Sequence, residues 1–334
     1  MVYRIHFTVE DLARTRVARP APLLELGAAV RALRGADRPV RFGAWRRAAL
    51  TRLRPEARMV LELIPPGGWA PTFLTSTVAG SPAESLERAR STPRSRIRED
   101  LAHVAEWRPP PPWARRLADD PDLSRRLFDS LDHVYAVLLA PHWSHITGEA
   151  AADQSVRARQ LLTGGAESLL TSLSPRRVRW SPPVLELAML SGLDGDLYLE
   201  GRGLLLVPSF FGADAPTIDI DAQPQPVVTY PVHRGEAGPL PAGSAPHPAS
   251  GTRSPLVSLL GLTRAAVLET IAAHPGCSTR ELATLAGIAP PSASEHATTL
   301  RAAGLVRTSR LRNTASHSAT PLGVALLNSA PRRP

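Results

Sequence analysis

The stretch TRAAVLETIAAHPGCSTRELATLAGIAPPSASEHATTLRAAGLVRTSR, Thr263–Arg310, decides how the C-terminal part of the chain folds. Thr263–His274 spaces its apolar residues as a helix, which Pro275-Gly276 ends. Ser278-Thr279-Arg280-Glu281 then has the S-x-x-E form of a capping box, in which Ser278 caps the next helix while Glu281 reaches back. That helix, Arg280–Ala286, is expected to bury Leu282, Ala283 and Leu285. Gly287 supplies a tight turn and Ile288 an apolar plug. A third helix is expected from about Pro290 to Ala303, stopped by Gly304, because glycine tolerates positive φ. Leu305–Arg310 reads as a strand, Arg312-Asn313 as a turn, His317–Thr320 as the returning strand and Pro321–Ala330 as a last helix.

Helix, helix, tight turn, helix and hairpin is the order of a winged helix-turn-helix. Its first two helices form a platform that holds the third at a fixed angle for entry into the major groove. The same residues resemble ArsR-type winged-helix transcriptional regulators, through Glu281-Leu282-Ala283, Gly287-Ile288, Ser294, His296, Leu300-Arg301 and Ala303-Gly304-Leu305-Val306 at that family's spacing. Regulators of the MarR type share much of this pattern. The resemblance covers about 75 residues of the chain. It implies a cytoplasmic, dimeric, sequence-specific DNA-binding regulator, a repressor, with helix 290–303 in the major groove and a wing over 307–320.

Several residues depart from the family pattern. Metal-sensing members carry paired cysteines, whereas Cys277 stands alone here and reads as an inert small residue. Ala297 follows His296 where a large apolar residue is usual. Glu295 stands where a basic residue is common; a carboxylate repels phosphate, though it can accept from a cytosine amino group. Pro290-Pro291 suits a helix start, so the third helix is expected to begin one or two residues late. For base edges the candidates are Ser292, Glu295 and His296; for phosphates they are Thr299, Arg301, Arg307, Arg310 and Arg312. For each, a solvated surface residue is the plainer alternative, and for His296 a packing or capping role.

Charge supports that assignment only where it is local. All 39 cationic residues of the 334-residue chain are arginine, set against 30 acids, for a net charge of +9. With no lysine and two asparagines, the composition has the look of a GC-rich genome, and the bulk charge says little about partners. From Thr252 to Pro334, however, nine arginines face three glutamates, placing +6 on the last 83 residues and +3 on the other 251. Phosphate contact needs such a concentration.

Moving outward, His233–Ser254 holds almost no large apolar residue and reads as a Pro/Gly/Ala-rich linker. It divides an N-terminal domain, 1–232, from the winged helix at 255–330. The N-terminal domain reads as mainly helical, ending in a small sheet. Helices are expected at Leu23–Leu33, Pro82–Arg90, Arg96–Trp107, Asp122–Ala140, Trp143–Leu162 and Gly165–Leu173. Strand-like runs follow at Asp196–Pro208, Thr217–Ala222 and Val227–Val232, and the chain opens on another at Val2–Val9. The segments Glu10–Ala18, Gly164–Leu173, Gly201–Phe211 and Tyr230–Gly235 are similar to an uncharacterised domain found ahead of ArsR-type modules in GC-rich bacteria. That similarity transfers no catalytic residue, so a sensor or dimerisation role, with a small-molecule effector, is the expectation.

The sequence gives no reason to expect an enzyme, cofactor or metal. His142 and His145 lack a third ligand at a suitable spacing, and Asp219 with Asp221 reads as a solvated strand edge. The run Arg88, Arg90, Arg94, Arg96 and Arg98 is balanced by Glu84, Glu87, Glu99 and Asp100, so a solvated face is preferred to a second DNA contact. No apolar run approaches a membrane span, and the first residues lack the apolar core of a signal peptide. A winged helix that binds a protein partner in place of DNA is the alternative.

Overall fold

The computed structural model of the chain describes residues 2–174, 176–189, 194–232, 240, 255–311 and 314–328. The first half of the chain runs β1 (Val2–His6), α1 (Val9–Arg14), β2 (Arg16–Val17), α2 (Pro22–Arg34), α3 (Pro39–Arg52), α4 (Arg58–Leu63), α5 (Pro82–Arg90), α6 (Arg94–Trp107), α7 (Pro121–Leu138) and α8 (Trp143–Thr171). Six strands follow: β3 (Val178–Ser181), β4 (Val184–Ala188), β5 (Gly195–Tyr198), β6 (Leu205–Ser209), β7 (Thr217–Asp219) and β8 (Val227–Pro231). The last part holds α9 (Pro255–Leu260), α10 (Leu262–Ala273), β9 (Cys277–Ser278), α11 (Thr279–Ala286), α12 (Pro290–Ala302), β10 (Val306–Leu311), β11 (Thr314–Ala319) and α13 (Pro321–Asn328). The chain divides into two compact units, Met1–Gly35 with Arg52–His233, and Ala36–Thr51 with Arg234–Pro334.

In the first unit the helices form where the apolar spacing places them. Leu123, Leu127, Leu131, Val134, Tyr135 and Leu138 of α7 are all buried, and the Asp120 carboxylate caps its N-terminus by accepting from Asp122 and Leu123 N–H. Leu23, Leu26, Val30 and Leu33 form the buried stripe of α2. Gly165 takes φ 65° and ψ −165° inside α8, so that run is two helices meeting at a break where only glycine is comfortable, at the expected position.

Two four-stranded sheets, β3-β4-β1-β5 and β2-β6-β8-β7, contribute to one apolar core with the end of α8. β1 lies inside the first sheet, antiparallel to β4 and parallel to β5. The sheet therefore does not simply end the domain; it recruits the first strand of the chain. The hairpin β3–β4 is an addition to the expected elements. Pro182-Pro183 occupies its tight turn. Asp196–Pro208 is two strands, because Gly201 and Gly203 hold positive φ between them. At Gly203 a Cβ would stand 2.7 Å from the Arg14 side chain and 2.8 Å from its backbone carbon.

Buried charges of this unit, among the described residues, are hydrogen-bonded or paired. The Glu25 carboxylate accepts from the N–H groups of Phe210 and Phe211, at 2.7 and 3.2 Å. Asp153 pairs with Arg157 at 3.0 Å and accepts from the Tyr230 hydroxyl at 2.7 Å, while Arg157 also donates to the Ser172 carbonyl at 2.7 Å. Desolvation, with the Asp153 charge beside it, pushes the Tyr230 hydroxyl far above its usual pKa. These bonds fix α8 and the turn after it to β8.

The second unit has its core among Val267, Leu268, Ile271, Leu282, Ala293, Ala297, Leu300, Leu305 and Val306, with Val40 of α3 packed against it. Of the stretch read as a linker only Leu240 is described; it is buried, and its N–H donates to the Arg41 carbonyl at 3.1 Å.

Candidate nucleic-acid interface

The capping box at Ser278 forms as its spacing implies. The Ser278 hydroxyl accepts from Glu281 N–H at 3.3 Å, and the Glu281 carboxylate accepts from Ser278 N–H at 2.8 Å. Hydrogen bonds from the Ser278 backbone and then its hydroxyl hold the Glu281 carboxyl below its usual pKa. α11 buries Leu282 and Ala283, but Leu285 is 46% exposed, so the expected third core residue faces away from the core. A helix this short has room for one apolar stripe, and Leu285 falls beside it. Gly287 closes the helix in the left-handed region at φ 65°, and Ile288 N–H reaches the Ala283 carbonyl at 3.0 Å. Ile288 packs half-buried against the core.

α12 begins at Pro290, without the expected delay. Proline at the first two helical positions gives up only N–H groups that lack an intrahelical partner, and Ala289 stands as an extended N-cap. Ala293, Ala297 and Leu300 bury one face, and two of these three are alanines. Ala297, 1% exposed, is part of the buried core in spite of its small side chain.

Ser292, Glu295, His296 and Thr299 fall at offsets of three, four and seven, on a stripe beside that buried face. Glu295 and Thr299 are exposed, and Ser292 and His296 are half-buried. The Thr299 hydroxyl donates back to the Glu295 carbonyl at 3.0 Å. The Nδ1 atom of His296 is buried with no hydrogen-bond partner among the described residues. The helical repeat puts Arg301, exposed, on the other flank of α12.

β10 and β11 pair antiparallel from Val306↔Ala319 to Leu311↔Thr314, and β9 adds a short third strand through Cys277 and Ser278. Arg307 is exposed on β10 opposite Ser318, Arg310 stands in β10 opposite Ala315, and Arg312 lies outside the described residues, as does Asn313 of the expected turn. Cys277 is buried, and desolvation followed by the Glu281 charge raises its thiol pKa, so it stays a thiol.

His317 is a residue the sequence pattern did not single out. It is 5% exposed, with Nδ1 3.0 Å from the Thr308 hydroxyl and Nε2 2.9 Å from the Thr279 hydroxyl. It ties both wing strands to the first residue of α11. Burial, and then the charge of Arg301, hold its imidazole below the usual pKa. The only trace in the sequence is a histidine among small polar residues on an alternating strand. At the far end of the hairpin, Thr320 caps α13 by accepting from Gly323 N–H at 3.1 Å, and its own hydroxyl donates to the Gly304 carbonyl at 2.6 Å.

The arrangement is three packed helices with a stranded wing. Residues 260–313 match the MarR family. The chain thus carries a MarR-type winged-helix domain towards its C-terminus. Residues 72–236 match a family of unknown function, DUF5937. Neither the curated proteins nor the solved structures give a significant match.

Away from the MarR-type domain, the described residues bring no comparable site together. No group of three or more His, Cys, Asp or Glu among them is placed to hold a metal ion. His142 is half-buried, and desolvation, then the charges of His145 and Arg52, lower its pKa. Burial raises the Asp219 carboxyl, which accepts from Asp221 N–H at 3.3 Å. Within the arginine run Arg90 pairs with Asp129 and Asp132, Arg96 with Glu99 and Asp100, and Arg98 with Asp119. No described helix is long and apolar enough to cross a membrane.

Proposed function

We propose that the chain is a sequence-specific DNA-binding transcription regulator that acts as a homodimeric repressor in the cytoplasm. The observation that carries this reading is the stripe Ser292, Glu295, His296 and Thr299 on α12, beside a wing that displays Arg307 and within a segment of net charge +6. In it α12 enters the major groove with Ser292, Glu295 and His296 at base edges. Thr299, Arg301, Arg307, Arg310 and Arg312 meet phosphates. The E-L-A and A-G-L-V segments at ArsR spacing support the finer family placement, and a repressor of that kind releases its operator when an effector meets the N-terminal half.

A mobility-shift assay on the promoter region of its own gene, with a salt titration, tests binding; a reporter under that promoter tests repression. Loss of reporter output on expression of the chain is expected, and a rise would make it an activator. The exposed carboxylate of Glu295 on the stripe favours one second reading, a winged helix that meets a basic protein partner. Binding to a basic protein with indifference to duplex DNA would support that.

A further inference from the structure

The segment between α2 and α4 does not belong to the unit it interrupts. Ala36–Thr51 clusters with the winged helix, while the residues on either side belong to the first unit. Its helix, α3, carries Arg38, Arg41, Arg46, Arg47 and Arg52 on or beside it and no acid between them. Phe42, Trp45 and Ala49, at offsets of three and seven, are buried on one stripe. Val40 packs against the winged-helix core, to which α9 contributes Leu256 and α10 contributes Val267, Leu268 and Ile271. The Arg41 carbonyl accepts from Leu240 N–H. Desolvation raises the pKa of the Glu269 carboxyl on α10, and the positive charge of Arg47 opposes the rise.

Both ends of this excursion are fastened in the first unit. Arg34, at the end of α2, donates to the carbonyls of Leu61 and Ile64 at 2.8 and 3.2 Å, and Arg31 donates to the Gly68 carbonyl at 2.8 Å. The returning chain is held by Arg54 N–H donating to His133 at 3.1 Å, and by the Ser130 hydroxyl donating to the Glu56 carbonyl at 2.8 Å. The chain therefore leaves the first unit at Gly35, contributes a helix to the winged-helix unit and returns at Arg52 to a segment hydrogen-bonded to its point of departure.

We infer that α3 is a built-in part of the winged-helix unit and the tie through which the N-terminal half acts on it, in addition to the connection at 233–254. α10 packs behind α12 in one core, so a shift of α2 against α4 reaches the recognition helix through α3 and α10 without passing along the Pro/Gly/Ala-rich stretch. The effect on DNA rests on the function proposed above; the tie itself does not.

The test is a full chain with a protease site introduced between Gly243 and Ala249, cleaved after purification and run on a sizing column at micromolar concentration. The two fragments should stay together. Val40→Asp should weaken their association more than tenfold. Arg47→Glu should weaken it less, with recovery in Arg47→Glu/Glu269→Arg. Separation of the unsubstituted fragments, or association indifferent to both Val40→Asp and Arg47→Glu, overturns the assignment. In the uncut chain Val40→Asp should change affinity for duplex DNA about fivefold or more; an unchanged affinity overturns the coupling. If the unsubstituted chain binds no DNA, the proposed function fails, and the cleavage result still decides the tie.

Discussion

The His317 ring stands between two hydroxyls, Thr279 at the first residue of α11 and Thr308 on the wing, at 2.9 and 3.0 Å. A neutral imidazole has one donor and one acceptor, and a hydroxyl can serve either. The pair of bonds is therefore satisfied without charge, inside a site that burial and Arg301 make hostile to a cation. Between the lowered folded pKa and an unfolded value of about 6.5, the unfolded chain binds more protons than the folded one. Stability of the winged-helix unit should be complete above about pH 6.5 and fall as pH drops through the folded value. Thermal melts of the wild type and His317→Gln across that window check this: the wild type should lose stability on acidification and the variant much less. Parallel pH profiles would contradict the assignment.

Gly323 of α13 lies against the backbone of Leu305, the residue before β10. A Cβ there would stand 2.2 Å from the Leu305 carbonyl oxygen, which is backbone and cannot swing aside. Gly323→Ala should cost about 1–3 kcal/mol, the range for overpacking. A denaturant titration that follows the winged-helix unit reads it, and a neutral result would mean that α13 seats differently.

In the first unit the pair Asp153–Arg157 has side chains 4% and 6% exposed. Removing one charge of a buried pair leaves the other without compensation, at a cost of about 3–5 kcal/mol. Asp153→Asn should lower the thermal midpoint markedly, whereas Tyr230→Phe, which removes one hydrogen bond, should cost about 1–3 kcal/mol. Equal midpoints for the two variants would contradict the assigned roles.

Contacts to phosphate and to bases should separate in binding data. Arg301→Gln and Arg307→Gln should weaken binding to all duplexes alike and lower the salt slope by about 0.9 per contact. Ser292→Ala and His296→Ala should instead narrow the gap between preferred and unrelated sequences, by about 1–3 kcal/mol for each lost base contact. Competition assays at two salt concentrations distinguish the patterns; a salt slope unchanged in both arginine variants would remove those residues from the phosphate set.

What was legible in the sequence was whatever depends on near neighbours. The Ser278–Glu281 box, the Gly287 turn and the Leu123–Leu138 stripe are all written within a few turns of chain, and each forms as spaced. Leu285 misled because apolar character alone does not say which side of a two-turn helix meets the core. β1 between β4 and β5, and Val40 of α3 on the winged-helix core, join residues far apart in sequence, where periodicity carries no information. His317 is the same case within the site, since its partners lie 38 and 9 residues away. Pro182-Pro183 hid a hairpin because prolines mark turns and interruptions alike.

The proposed function requires that α12 and the wing bind duplex DNA with sequence preference. Its most direct measurement is selection of bound duplexes from a random pool by the purified chain, followed by a salt titration from about 50 to 200 mM on the recovered site. Enrichment of one sequence, recovered as an inverted repeat to suit a dimer, is predicted, with affinity that falls steeply as salt rises. Recovery of no preferred sequence, or an affinity indifferent to salt, would contradict it.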